Sequence, residues 1–239
     1  MRIALVADLH GNWPAVQAME RDIARRGAEE IYCLGDLVGK GPSSDKTCDW
    51  AFANCSVILG GNWDLGVAQR AFPKDEFYWN QLGNARLQKL AALPLEHHFD
   101  FSGLHVRLLH GRPVTPDLVH PESERAEFEQ LFERDGEQFE LVGFADCHGQ
   151  FERSLRRGYI FNTGSVGNAI GRTGVHYALI EGEMGPSRAP FALSLIHLDY
   201  DVEAALADAL GAGGLPGAQA YMNELKTGVY SRKMPKNGG

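Results

Sequence analysis

Residues 2–7, RIALVA, form an apolar run of strand formers that stops at Asp8, the pattern of a buried parallel strand with a polar residue at its carboxyl end. The next segment, WPAVQAMERDIARRG, has proline in its first turn, apolar residues at Ala15, Val16, Met19 and Ile23, and a stop at Gly27. That spacing predicts a helix. The alternation recurs, with EIYCLGD as a second strand ending at Asp36, SDKTCDWAFAN as a second helix, and CSVILGGNWD as a third strand running into a polar loop. Right-handed crossovers make the three strands parallel, with their carboxyl ends on the edge where open α/β sheets bind ligands.

Residues 65 to 93 read as helical, with Leu82, Leu87, Leu90 and Leu93 as the apolar positions and Pro94 as the stop. LEHHFDFSGLHVRLLHG reads as a hairpin about Ser102-Gly103 that ends at His110-Gly111. A proline-rich loop over 112–121 leads to an expected acidic helix at 122–135, and a series of short β-type runs with turn signals follows. The last forty or so residues read as a helix pair and a loose tail, about 227–239. With no internal repeat and no low-complexity linker, the expectation is one domain over 1–239: an α/β fold with two sheets packed face to face and helices outside.

Composition narrows the function classes. The chain has 239 residues, 44% of them hydrophobic, and a formal net charge of -8, which argues against a protein whose main task is to coat nucleic acid or an anionic membrane. The N-terminus lacks a secretory pattern and no segment reads as a membrane span, so a cytoplasmic location is expected. Cys33, Cys48, Cys55 and Cys147 show no C-x-x-C spacing and read as free thiols.

The chemistry lies where strands end. Asp8 with His10, Asp36, Asn62 with Asp64, His110, and Asp146 with His148 are nearly all of metal-ligating type. Carboxylate, imidazole and amide oxygen without a thiolate cluster suit Mn, Fe or Zn and not a structural zinc knot. In DLH, Asp8 and His10 stand at i and i+2 of a strand end, able to grip one ion, while Asp36 on the adjacent strand is placed to bridge it to a second.

The motifs DLHGN, LGDLVGKGP, GGNWD, LLHG and DCHGQF followed by FNTGSVG occur in the order and spacing of the calcineurin-like metallophosphoesterase superfamily. Over roughly 1–182 the chain resembles the compact bacterial and archaeal branch that includes small phosphodiesterases and diadenosine-tetraphosphatase-like proteins. The resemblance implies a four-layer αββα sandwich and two divalent ions, Mn first, with Fe or Zn as alternatives. Asp8, His10, Asp36 and His148 would hold the first ion. Asp36, Asn62 and His110 would hold the second, with Asp146 standing where relatives carry histidine. Asp146 either ligates, making that site harder and more anionic, or accepts a hydrogen bond from a ligand; it is counted among the ligands here.

In this reading Asp36 and Arg112 are the catalytic residues. Hydroxide generated between two ions attacks phosphorus in line, and Arg112 clamps the phosphate. Lys40 and Arg172 stand behind it and read as solvated charges. Trp63 replaces a histidine that acts in many relatives as a general acid, and could instead stack on a nucleobase. Asp64 reads equally as a helix cap or as support for a ligand, Asn12 as the cap of the first helix, and the glycines at 164–167 as a tight loop against the metal face. His97, His98, His105, His120, His176 and His197 match nothing in the set and are assigned to surface or packing. The implied partner is a small phosphorylated substrate, a nucleotide included, with no membrane and no obligate nucleic acid. The competing class is a catalytically weak or inactive binding module, as in the retromer subunit of the same architecture.

Overall fold

The structure is a computed structural model that describes residues 1–231. The first half contains β1 (Arg2–Val6), α1 (Trp13–Arg26), β2 (Glu30–Cys33), α2 (Ser44–Asn54), β3 (Val57–Ile58), α3 (Asn62–Ala68), a 3-10 turn (Pro73–Asp75) and α4 (Glu76–Ala91). Then come β4 (Glu96–Phe101), β5 (Leu104–Leu109), α5 (Arg125–Gln130), β6 (Glu133–Arg134), β7 (Glu137–Gln138) and β8 (Leu141–Phe144). The chain closes with β9 (Phe151–Ser154), β10 (Tyr159–Asn162), β11 (Val175–Glu181), β12 (Ala192–Leu198), α6 (Val202–Gly211) and α7 (Ala218–Thr227).

Two five-stranded mixed sheets form the core, ordered β12-β11-β1-β2-β3 and β4-β5-β8-β10-β9. The expected two-sheet sandwich with flanking helices is what the chain forms. The period of two along a strand sets the layers. Ile3, Leu5 and Ala7 enter the inter-sheet core with Leu108, Leu141 and Phe161. Ala4 and Val6, on the opposite face, pack with Val16 and Met19 of α1, Leu206 of α6 and Leu225 of α7. A third cluster, with Phe128, Phe132, Phe139 and Ile160, covers the other side of the second sheet.

Three expectations change. The acidic helix expected over 122–135 is confined to Arg125–Gln130, and β6 and β7 follow as a small hairpin. Asp135 and Gly136, at φ 51° and 89°, supply the left-handed pair that a tight Asp-Gly hairpin turn requires. The continuous helix expected over 65–93 is divided by the Pro73 turn, and Gly83, at φ 67° and ψ 167°, interrupts α4. The tail expected to be loose from 227 is anchored as far as it is described. Gly228 O accepts from Gly171 N–H at 2.8 Å, and Ser231 N–H donates to Glu224 Oε1 at 3.0 Å. The rest of that tail, 232–239, lies outside the described residues. Among the described residues no helix is long and apolar enough to cross a membrane.

Leu108 is fully buried between the sheets. Leu108→Ala should lower unfolding free energy by about 2–5 kcal/mol, the transfer and cavity cost of a core leucine, read from the urea midpoint at unchanged slope.

Candidate metal centre

Asp8 follows β1, Asp36 follows β2, Asn62 opens α3 just after β3, His110 follows β5, and Asp146 and His148 follow β8. β1, β2 and β3 are mutually parallel, as are β5 and β8, so each sheet sends its ligand loops off one edge. The loops are laced together. Asp8 N–H donates to Gly35 O at 2.9 Å, His10 N–H to Asp36 O at 3.1 Å, and Ala145 N–H to His110 O at 2.8 Å. His110 Nδ1 meets Leu34 O at 2.8 Å and so ties the two sheets' loops to each other.

Backbone conformation is unusual here. Nine non-glycine residues among those described have positive φ, and Asp8, His10, Asp36, Lys40, Asp146 and His148 are six of them. Such residues cost of order 1–3 kcal/mol each and persist where surrounding contacts over-determine them. Close approach is also built in: a Cβ on Gly61 would lie 2.1 Å from Asp36 Oδ1, so only glycine fits beside that carboxylate.

The tautomers follow from the partners. His10 Nδ1 faces Val38 O at 3.0 Å, His148 Nδ1 faces Asn168 O at 2.7 Å, and His110 Nδ1 faces Leu34 O. A carbonyl only accepts, so each Nδ1 carries its proton and each Nε2 turns inward. His10 Nε2 and His148 Nε2 lie 3.1 Å apart. Burial, together with the neighbouring His148, holds the His10 pKa well below the usual imidazole range, and burial with the Lys40 charge does the same for His148. Two neutral nitrogens at that distance present lone pairs to one another.

Carboxylates complete the set. Asp8 Oδ1 lies 3.6 Å from His10 Nε2, 3.9 Å from His110 Nε2 and 3.5 Å from His148 Nε2. Asp36 Oδ2 lies 3.6 Å from His10 Nε2 and 3.3 Å from His110 Nε2. Two metal-compatible groups emerge, Asp8 with His10 and His148, and Asp8 with Asp36 and His110. Asp8 is common to both, while Asp36 lies between His10 and His110. Among the described residues, both Asp8 oxygens, Asn62 Oδ1 and His110 Nε2 are buried and make no hydrogen bond of ordinary geometry. An unpaired buried polar atom costs about 1–3 kcal/mol, and divalent cations would satisfy these together. The residues fit the metal.

With that geometry in place, comparison with known proteins is decisive for the family. The calcineurin-like phosphoesterase model matches residues 1–142. The chain belongs to that family. It is 26% identical over 234 residues to an uncharacterized protein of Methanocaldococcus jannaschii, covering 85% of this chain and 89% of that one. Its fold matches a metallophosphoesterase from Sphaerobacter thermophilus at TM-score 0.75 and 23% identity, over 96% of this chain and 99% of that chain. A hypothetical protein from Pyrococcus horikoshii matches at TM-score 0.75 and 19% identity, over 96% and 98%. The family match ends before Asp146 and His148, so their place in the site rests on the geometry.

Other site residues fall differently from expectation. Asp146 is near the centre but its carboxylate is engaged elsewhere: Oδ2 accepts from Arg112 N–H at 3.0 Å and from Nε at 2.8 Å, and Oδ1 accepts from Nη2 at 2.7 Å. Burial raises its pKa, but the Arg112 hydrogen bonds outweigh that and leave it below the usual carboxylate value. Arg112 is correspondingly tied to Asp146. The loop around Cys147 therefore supplies one imidazole to the centre and one carboxylate to an arginine. Burial pushes the Cys147 thiol up to about 12, so it stays protonated.

Asp64 both caps and supports. It accepts from Gly61 N–H at 3.0 Å at the start of α3, and from Asp36 N–H at 2.7 Å and Leu37 N–H at 2.9 Å. Burial, with the Asp36 charge beside it, pushes its pKa up to about 7. Asn12 caps α1 through Ala15 N–H, at 3.2 Å. The 164–167 loop does approach the metal face: Gly167 N–H and Ser165 Oγ donate to Asp8 O at 2.8 and 3.0 Å.

Arg172 is exposed, as expected. Lys40 is not a solvated charge; its side chain is 11% exposed and lines a cleft of about 670 Å³ with Asp36, Trp63, Arg112, His148 and Tyr230. His120 also lines that cleft. Glu224 and Asn168 were not legible as site residues, because helix α7 and a glycine-rich loop carry no motif for contacts made across more than fifty positions of chain.

In the ion-free protein burial lowers the His110 pKa, but Asp36 and Asp8 outweigh it and hold it well above the usual imidazole value. A raised pKa means the proton is present at pH 7 and must leave when Nε2 coordinates. Adding Mn²⁺ to metal-stripped protein at pH 7 should release protons, seen as buffer-dependent calorimetric enthalpy, and His110→Asn should reduce that release.

Proposed function

We propose that this protein is a metal-dependent phosphoric ester hydrolase acting on a small phosphorylated substrate. The observation that carries this reading is the set of buried ligand atoms on Asp8 and Asn62 that find no hydrogen-bond partner among the described residues, with His10, His148, Asp36 and His110 gathered around Asp8. Asp8, His10 and His148 would hold one divalent ion, and Asp8, Asp36, His110 and Asn62 a second, with Mn first and Fe or Zn as alternatives for this mixed set of oxygen and imidazole donors. Bound there, such ions supply Lewis acidity and an activated water at neutral pH.

The chain's own groups then bind and orient. The Nδ1–H to carbonyl bonds of His10, His110 and His148 fix each ring with Nε2 inward, and Asp64 holds the Asp36 loop through two amides. Trp63 packs edge-on to His10, with ring centroids 5.7 Å apart, and faces the cleft. Its indole donates no proton to a leaving group at neutral pH, so good leaving groups are favoured. Ligand atoms kept buried without hydrogen-bond partners are costly unless a metal is held, which favours the hydrolase over a metal-free scaffold.

The test is hydrolysis of bis-(p-nitrophenyl) phosphate and p-nitrophenyl phosphate by Mn²⁺-loaded protein, with metal content by elemental analysis. Wild type should turn over at least one of the two, and Asp36→Asn should lose about a hundredfold or more in kcat; no turnover by wild type would falsify the hydrolase. Asp146→Asn separates its two roles. With the carboxylate held by Arg112, the variant should keep its metal content and lose rate through a loosened Arg112, whereas loss of one equivalent of metal would make Asp146 a ligand.

A further inference from the structure

Lys40 is the residue whose position the mechanism has not used. It stands at φ 54° between two glycines, in a loop pinned to the metal centre by Gly41 N–H to His10 O at 2.9 Å and by Gly39 N–H to Ser44 Oγ at 3.0 Å. Its stem is therefore fixed relative to His10. The ammonium lies over the Tyr230 ring, 5.2 Å from the centroid, and 3.4 Å from Glu224 Oε2. It forms part of the wall of the cleft that Asp36 and His148 also line.

Glu224 is shared. Its Oε2 also accepts from Asn168 Nδ2 at 2.7 Å, its Oε1 accepts from Ser231 N–H at 3.0 Å, and Asn168 O receives the His148 Nδ1–H. The carboxylate is 5% exposed, and one chain of contacts links α7 to both Lys40 and a metal-centre imidazole. At 3.4 Å the ion pair is longer than the roughly 2.7–2.9 Å of a strong charge-assisted bond. An ammonium has three donors, so Lys40 keeps donor capacity at the cleft wall. Arg112, the other cation there, has its Nε and Nη2 committed to Asp146.

We infer that Lys40 binds an anionic oxygen of the phosphoryl group seated at the metal centre, and that Glu224 is its positioning residue. The inference rests on the hydrolase reading for the identity of the ligand as a phosphoryl group. A dianionic monoester offers one more charged oxygen than a diester, so Lys40 favours phosphomonoesters and inorganic phosphate over diesters.

The probe is inorganic phosphate, titrated by calorimetry into the Mn²⁺-loaded protein and, separately, used as an inhibitor of bis-(p-nitrophenyl) phosphate hydrolysis. Lys40→Met, which keeps an unbranched stem against Tyr230, should weaken phosphate about tenfold or more at unchanged metal content. It should also reduce kcat/KM for p-nitrophenyl phosphate more than for the diester. Lys40→Arg should retain most of the affinity, and Glu224→Gln should show a smaller loss that, as in Lys40→Met, falls more on phosphate and the monoester than on the diester. Unchanged phosphate affinity in Lys40→Met overturns the inference, and tighter phosphate in Glu224→Gln overturns the positioning role, since Glu224 would then be a competitor. Calorimetry is independent of turnover: Lys40-dependent phosphate binding without hydrolysis removes the hydrolase and keeps the clamp, and hydrolysis with Lys40-independent binding does the reverse.

Discussion

Three imidazoles give their Nδ1 protons to backbone carbonyls and turn Nε2 towards two buried aspartates, with lone pairs on His10 and His148 and a retained proton on His110, an arrangement that the protein alone does not satisfy. His10 and His148 turn their Nε2 lone pairs towards each other at 3.1 Å, and among the described residues Asp8 has both oxygens buried without a hydrogen-bond partner. Electrostatics of that kind is unfavourable in a low-dielectric interior unless positive charge is placed at its centre. His110 shows the same imbalance from the other side, because its retained proton is the chain's own partial substitute for a cation. The fold must hold the ligands together against their mutual repulsion, and much of the local structure is explained by that task.

The restraint is spread over both sheets. Left-handed conformations at Asp8, His10, Asp36, Asp146 and His148 turn five side chains out of strand-end loops that would otherwise carry on along the strand. Three of the five are held by a specific backbone contact: Gly35 O and the Ser165 loop at Asp8, Asp36 O at His10, and the Asp64 carboxylate at Asp36. Core packing beneath them makes these contacts rigid. Ile3, Leu5 and Ala7 of the first sheet meet Leu108 and Phe161 of the second in one apolar layer, so neither ligand-bearing edge can shift without opening close-packed core.

The parts written in local chemistry were legible in the sequence, and the parts written in long-range contact were not. Strand ends at Asp8 and Asp36 stood out because an apolar run stops at a carboxylate, and the two-sheet core follows from their periodicity. The hairpin at Asp135-Gly136 was hidden by acidic residues spaced like a helix face, although the Asp-Gly pair was itself the signal. At Asp146 the residue was identified and its partner was not: the sequence places it two residues from His148, but only the fold brings Arg112 round to engage both oxygens. Lys40 was misread for the same reason. A lysine between glycines reads as an exposed turn until α7, nearly two hundred positions later, supplies Glu224.

Charge pairing ties these departures together. As a free ligand Asp146 would add a further negative charge to a centre that already holds Asp8 and Asp36, and would weaken its pull on an anionic substrate. Paired bidentately with Arg112, it is neutralised beside the centre. Lys40, which lines the same cleft as Arg112, forms a second neutral pair with Glu224, looser at 3.4 Å against 2.7 Å. The tighter pair holds a carboxylate away from incoming phosphate, and the looser one leaves its cation able to turn towards it. The same pairing of a buried carboxylate with a cation thus does two different jobs, and bond length decides which.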